Sequence, residues 1–147
     1  MAIRDAKFIF SDEQAITVDA LSTNVLDWGE GMEDLDIGEG TPSYVNIMVT
    51  TTFDGGTDLT ISLYTHTTTT VNSGTVLLTT QTFAQASLTA GAILLSVSLP
   101  PNADRDRYFG IYYDQTDDFT AGKVSAWFGH EPIAQLSPAT QVAVSNV

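Results

Sequence analysis

Short runs in which every second residue is apolar recur along this chain, and they constrain its fold more than any other feature. The run YVNIMVTT places Val45, Ile47 and Val49 on one side of an extended segment. LTISLYT and ILLSVSL repeat the pattern, and FIF, NVLDW, TVLLTTQTF, RYFGIYY and KVSAWFG extend it. A period of two is typical of a half-buried β-strand. The sequence therefore predicts an all-β protein of about eight strands.

Turn signals separate these runs at the spacing of an antiparallel β-sandwich. They are DGG at 54–56, NSG at 72–74, TAG at 89–91, PPNAD at 100–104 and TAG at 120–122. SDEQAITVDAL is the one helical alternative, because Ser11 is a helix-capping residue type. The β-branched residues Ile16, Thr17 and Val18 weaken that alternative.

The chain length of 147 residues fits one domain. We predict a single domain over residues 1–131 with a short N-terminal arm. Residues 132–147 include a proline at each end of PIAQLSP and many small side chains, so we predict a C-terminal tail or edge segment there.

Charge and composition exclude several classes of protein. A net charge of −13 disfavours binding to nucleic acid and to anionic membranes, and it favours a basic protein partner. The absence of cysteine excludes disulfides, thiolate metal sites and cysteine nucleophiles. No apolar run has the length of a signal peptide or a membrane helix. We therefore expect a soluble protein made in the cytoplasm.

The acidic stretch DWGEGMEDLDIGEG, at 27–40, raises the question of a metal site. An EF-hand loop needs glycine at its sixth position and glutamate at its twelfth. Counting from Asp27 gives Met32 and Gly38, and counting from Asp34 gives Glu39 at the sixth position. We interpret the stretch as a solvated loop and predict no cofactor. An irregular calcium site is the open alternative, with candidate ligands Asp27, Glu30, Glu33, Asp34 and Asp36.

Catalytic patterns are weak. His66 and His130 are the only histidines, and a zinc site would require both to converge with a carboxylate, so we interpret them as surface residues. Asp117 and Asp118 are acids of the kind glycosidases use, but the sequence does not fix a separation from a second acid. Nucleophile-elbow, dinucleotide and P-loop motifs are absent. We predict that the protein is not an enzyme.

Basic residues are few, which makes them candidate contacts for a partner. Asp104, Arg105, Asp106 and Arg107 alternate in charge and fit surface ion pairs on a turn. The functional alternative is a contact with carboxylates of a partner, since the arginine guanidinium forms paired hydrogen bonds with a carboxylate. The candidate partner-binding residues are Arg4, Lys7, Arg105 and Arg107.

An ordered set of segments resembles a known family. FSDEQAIT, STNVLDWG, DIGEGTPSYVNI, LTAG, LLSVSLP, RYFGIYY and FTAGKVSAWF follow one another between Phe10 and Phe128. Their order resembles the capsid cement, or decoration, proteins of tailed bacteriophages, of the type found in a Bordetella podovirus. The resemblance implies a jelly-roll fold without catalysis. The insertion EGMED and the tail after His130 are longer than the family pattern.

Two functional hypotheses follow. The resemblance implies a structural virion protein on the outer surface of the capsid, made in the host bacterial cytoplasm. Its partners would be the major capsid protein and itself, as a homodimer or homotrimer, without nucleic acid or membrane. The alternative is a jelly-roll carbohydrate-binding module, calcium-dependent through the acidic stretch. In that case Trp28 and Trp127 would line a sugar groove; otherwise they are core and interface anchors.

Overall fold

A computed structural model describes residues 6–30, 42–99 and 105–133. The described residues form ten strands and three short 3-10 turns. The strands are β1 (Ile9–Ala15), β2 (Ala20–Leu21), β3 (Leu26–Asp27), β4 (Tyr44–Gly55), β5 (Asp58–His66), β6 (Thr75–Thr79), β7 (Phe83–Ala84), β8 (Ile93–Ser98), β9 (Tyr108–Thr116) and β10 (Phe119–Gly129). Within these residues, no helix has the length and apolar character needed to span a membrane.

Two antiparallel sheets make up the fold. Sheet A has the strand order β1-β10-β4-β8, and sheet B has the order β2-β9-β5-β6. The short strand β3 also pairs with β9, and β7 also pairs with β5, so each prolongs an edge of sheet B. Two packed sheets, each with a path of four strands in which strands distant in sequence are neighbours, are the arrangement of a jelly roll. The prediction of an all-β antiparallel sandwich of jelly-roll type is confirmed.

Every apolar run of the sequence became a strand, because alternation lets each strand bury one face. In β5 the side chains of Leu59, Ile61 and Leu63 are buried, while the residues between them are half-buried. The two inner faces meet in one core that also contains three phenylalanine side chains at full burial. The buried core consists of Phe10, Ile16, Leu26, Val45, Ile47, Val49, Phe53, Leu59, Ile61, Leu63, Leu88, Leu94, Leu99, Phe109, Ile111, Tyr113, Phe119, Val124, Ala126 and Phe128.

The connection from β4 to β5 is the turn that the sequence predicted. Gly55 and Gly56 have φ angles of +71° and +59°, which most other residues adopt only with strain. A Cβ on Gly56 would also collide with the ring of Phe119. β4 and β5 belong to different sheets, so this turn carries the chain from one sheet to the other.

The second TAG sequence, at 120–122, is not a turn. It lies inside β10, where the pairing with β4 shifts register on both sides of Ala121. Gly122 has a φ of +144°, and a Cβ there would collide with the ring of Phe53. The glycine therefore marks an irregular point in a strand beneath an aromatic ring. The turn itself lies just before it, where Asp117 has a φ of +61°.

The helical alternative over residues 11–21 is wrong, because this stretch contains β1 and β2. β1 pairs with β10 through a ladder that shifts register twice, and Glu13 has a φ of +47° at the second shift. The Glu13 N–H donates to Ser125 Oγ at 3.0 Å. Such bulges bend an edge strand and discourage pairing with other chains.

Candidate interaction surface

An ion pair at one end of sheet B joins β3 to the segment before β9. Arg107, just before β9, donates from Nε to Asp27 Oδ1 at 2.7 Å and from Nη2 to Asp27 Oδ2 at 2.8 Å. The Gly29 N–H donates to the same Oδ1 at 2.8 Å. The hydrogen bonds from Arg107 and Gly29 lower the pKa of Asp27 from 3.8 to about 2. Arg107 also lies 5.0 Å from the centre of the Tyr108 ring.

This ion pair bears on the calcium alternative. Both carboxylate oxygens of Asp27 already accept hydrogen bonds from Arg107. Glu30 is exposed, while the other three candidates, Glu33, Asp34 and Asp36, lie outside the described residues. In the described ranges no three His, Cys, Asp or Glu side chains form a group that could hold a metal ion.

Three of the four remaining titratable candidates form hydrogen bonds within the chain. His66 Nδ1 lies 2.9 Å from the Thr68 N–H and accepts its hydrogen bond. His130 follows β10 and is exposed. Asp117 Oδ2 accepts from Thr57 Oγ1 at 2.7 Å, and Asp118 Oδ1 accepts from Gln115 Nε2 at 3.1 Å. Asp117 thus joins the turn between β9 and β10 to the connection between β4 and β5, while the bond of Asp118 is local to the β9–β10 turn.

The candidate basic contacts are in different situations. Arg4 lies outside the described residues, as does Asp104. Lys7 is exposed in the 3-10 turn Ala6–Phe8, and Arg105 is half-buried ahead of β9. Arg107 pairs with Asp27, a residue eighty positions away in sequence. A role for any of the four in binding a partner stays a prediction.

The two tryptophans do not form a groove. Trp28 is half-buried and packs against Phe8, Phe109 and Phe128 with ring centres 5.5–5.6 Å apart. Trp127 is only 3% exposed. The structure therefore supports the interpretation of both residues as packing anchors.

The outer face of sheet B carries aromatic rings, hydroxyls and carboxylates. The register places Leu21, Tyr112, Ser62 and Thr79 in one row across four strands. A neighbouring row contains Gly110, Tyr64 and Val76, and the row on the other side contains Asp114 and Thr60. We call the five residues Thr60, Ser62, Tyr64, Tyr112 and Asp114 the sheet B face.

Contacts within the sheet B face fix its side chains. Tyr64 and Tyr112 meet edge to face, with ring centres 6.3 Å apart and planes at 88°. Thr60 Oγ1 lies 2.9 Å from Thr82 Oγ1, and Ser62 Oγ lies 3.1 Å from Thr79 Oγ1. Partial burial raises the pKa of Tyr112, and the nearby carboxylates of Asp19 and Asp114 raise it further.

The outer face of sheet A differs, because the chain itself covers part of it. Asn46 is fully buried on that face. Its Nδ2 donates to the Glu131 carbonyl at 2.9 Å, and its Oδ1 accepts from the Ile133 N–H at 3.2 Å and from Ser96 Oγ at 2.8 Å. Ser125, also fully buried, accepts from Glu13 as described above. The segment after β10 is thereby tied to β4 and β8. The predicted domain boundary at residue 131 stays a prediction.

Sequence reasoning named neither the sheet B face nor Asn46. Alternation in LTISLYT and RYFGIYYD already placed Thr60, Ser62 and Tyr64 on one side of their strand, and Tyr112 and Asp114 on one side of theirs. Which strands are neighbours was not readable, since β5 and β9 lie some forty residues apart in the chain.

Fold and surface together define a jelly-roll protein with an open, acidic and aromatic face. The family model Bbp16, which describes a Bordetella phage protein family, matches residues 10–128. The chain belongs to this family, which indicates a phage protein of the virion type. The comparison with curated proteins gives no match.

Proposed function

We propose that this protein is a capsid cement protein, which binds the outer surface of an icosahedral phage head and stabilises contacts between major capsid proteins. Membership in a phage protein family over residues 10–128 is the observation that carries the proposal. This match spans both sheets of the jelly roll, from β1 to β10. The protein would act by binding and would have no catalytic activity.

The net charge of −13 supports the exterior position. Packaged DNA repels such a protein, so the inner surface of the shell is electrostatically unfavourable. Basic patches on the outer surface would attract it and speed its association. The same charge keeps free copies apart before they bind.

Many copies on one lattice would stabilise a shell by avidity. Each copy that contacts two capsid subunits ties them together, because the second contact is formed at a high effective concentration. Self-association as a homodimer or homotrimer would multiply these contacts. Analytical ultracentrifugation of the purified protein will distinguish the two assemblies.

The experiment compares phage heads assembled with and without this protein. Heads that lack the protein should break open at a lower temperature than complete heads. Adding purified protein should raise that temperature again. Sedimentation of the heads measures binding, and release of DNA with an intercalating dye measures stability. If such heads neither bind the protein nor gain stability from it, the proposal is wrong.

The carbohydrate-binding alternative has a separate test. A glycan array and a thermal unfolding curve with calcium or chelator should both show a response if it holds. Trp28 and Trp127, which would line a sugar groove under this alternative, are packed against other residues or buried. Cement function is therefore the function that these observations favour.

A further inference from the structure

The described residues on the two outer faces of the sandwich differ in how they are covered. On sheet A, Asn46 is 0% exposed beneath the segment that contains Glu131 and Ile133. On sheet B, Tyr64 and Tyr112 are half-buried and Asp114 is exposed. Val76, beside Tyr64 in the same row, is 45% exposed although it is apolar. The described outer face of sheet B therefore carries exposed and half-buried side chains that a protein surface could contact.

The chemistry of the sheet B face selects a basic partner. Its rows contain two tyrosine rings, several hydroxyls and the carboxylate of Asp114, and the carboxylate of Asp19 lies beside Tyr112. None of the residues in these rows is lysine or arginine. Arg107 lies beside Tyr108, and its charge is balanced by Asp27.

A partner arginine fits this combination better than other side chains do. Its planar guanidinium can stack on a tyrosine ring while its N–H groups donate to a carboxylate. Hydroxyls of Thr60 and Ser62 can bond the polar groups that border such a side chain. Aromatic residues and arginine are also the side chains that most often dominate the energy of protein interfaces.

We propose that the sheet B face is the docking surface for a basic segment of the major capsid protein, with a partner arginine or lysine bound between the Tyr64–Tyr112 pair and Asp114. This inference rests on the proposed cement function. It adds that sheet B, rather than sheet A, faces the capsid. Because the attraction is electrostatic, binding should weaken as the salt concentration rises.

The test measures binding of four purified proteins to phage heads that lack this chain: wild type, Asp114→Lys, Tyr64→Ala and Asp12→Lys. Asp12→Lys is the charge-matched control, because Asp12 is exposed on β1 at the edge of sheet A. Circular dichroism and thermal unfolding establish that each variant is folded. Occupancy is read by sedimentation of the heads at several protein and salt concentrations.

We expect Asp114→Lys and Tyr64→Ala each to weaken binding by about tenfold or more, and Asp12→Lys to change it by less than about threefold. If the wild type binds and both sheet B variants bind equally well, this inference is wrong and the cement function stands. If the wild type does not bind heads, both proposals fall. Wild-type binding that a soluble glycan abolishes would also overturn the inference, in favour of a sugar ligand.

Discussion

A hydrogen bond in the middle of the core gives a sharp prediction about stability. Tyr113 in β9 reaches across the sandwich, and its hydroxyl lies 2.8 Å from Ser11 Oγ in β1. Ser11 Oγ donates its only proton to Gln14 Oε1 at 2.7 Å. Tyr113 must therefore be the donor to Ser11. Both residues are buried, with exposed fractions of 0% for Tyr113 and 1% for Ser11.

The direction of this bond makes the two single substitutions unequal. Ser11→Ala leaves the Tyr113 hydroxyl buried without its acceptor, which should cost about 1–3 kcal/mol. Tyr113→Phe removes one hydrogen bond but leaves Ser11 bonded to Gln14, which should cost about 0.5–1.5 kcal/mol. The double variant should be less destabilised than the sum, by about 1 kcal/mol, because each single change already breaks the shared bond.

Urea denaturation followed by circular dichroism measures all four free energies of unfolding. A Tyr113→Phe variant that is destabilised more than Ser11→Ala would refute the assigned donor. Additive costs in the double variant would refute the bond itself. The slope of each denaturation curve should stay unchanged, since neither substitution alters the surface exposed on unfolding.

The same tyrosine predicts how stability changes in alkali. Burial raises the pKa of Tyr113 well above its usual 10. The folded state then keeps a proton that the unfolded state releases, so the contribution of Tyr113 to stability is constant below pH 10 and falls above it. The slope of this loss is about 1.4 kcal/mol per pH unit for one group. Tyr113→Phe should lack that contribution, and urea titrations between pH 9 and 11 will compare the two proteins.

Three further substitutions probe other parts of the fold. Gly122→Ala should lower the free energy of unfolding by about 2–4 kcal/mol, because φ is positive there and the new Cβ would collide with Phe53. Gly91→Ala is the control: its φ is +88°, but no atom lies near the new Cβ, so the cost should be about 1 kcal/mol. Thermal unfolding will check both, and equal losses would contradict the collision. Asn46→Ala should lower the free energy of unfolding by about 1–3 kcal/mol and speed backbone hydrogen exchange after β10. Unchanged exchange would show that Asn46 does not hold this segment. NMR titration should give Asp27 a pKa of about 2. The ion pair therefore stabilises the fold above pH 4, and this contribution is lost as the pH falls towards 2. An ordinary pKa for Asp27 would contradict the ion pair.

The sequence predicted the strands well, because a strand with one buried face must have an apolar residue at every second position. All eight apolar runs are strands, and TVLLTTQTF splits into β6 and β7 on either side of Thr80. Thr80 stays bound to β5, since its N–H donates to the Ile61 carbonyl and its Oγ1 accepts from the Ile61 N–H. β2 was missed because two residues are too few to show a period.

The candidate site was less predictable, because it depends on which strands become neighbours. The Asp27–Arg107 pair joins residues eighty positions apart in the chain, and the two tyrosines of the sheet B face come from β5 and β9. Local patterns give the side of a strand that a residue occupies and say nothing about its neighbour across the sheet. Gly122 was misread for a related reason, since only the packed Phe53 ring explains it.

The extent of the family match bears on which outer face of the sandwich would bind the phage head. Residues 10–128 contain every position of the sheet B face, together with the carboxylate of Asp19. The chain segment that covers Asn46, by contrast, begins at Glu131, beyond the matched range. If binding to the head belongs to the family as a whole, it should reside in surface that the shared part of the chain builds alone. Sheet B meets that condition, and the covered part of sheet A does not.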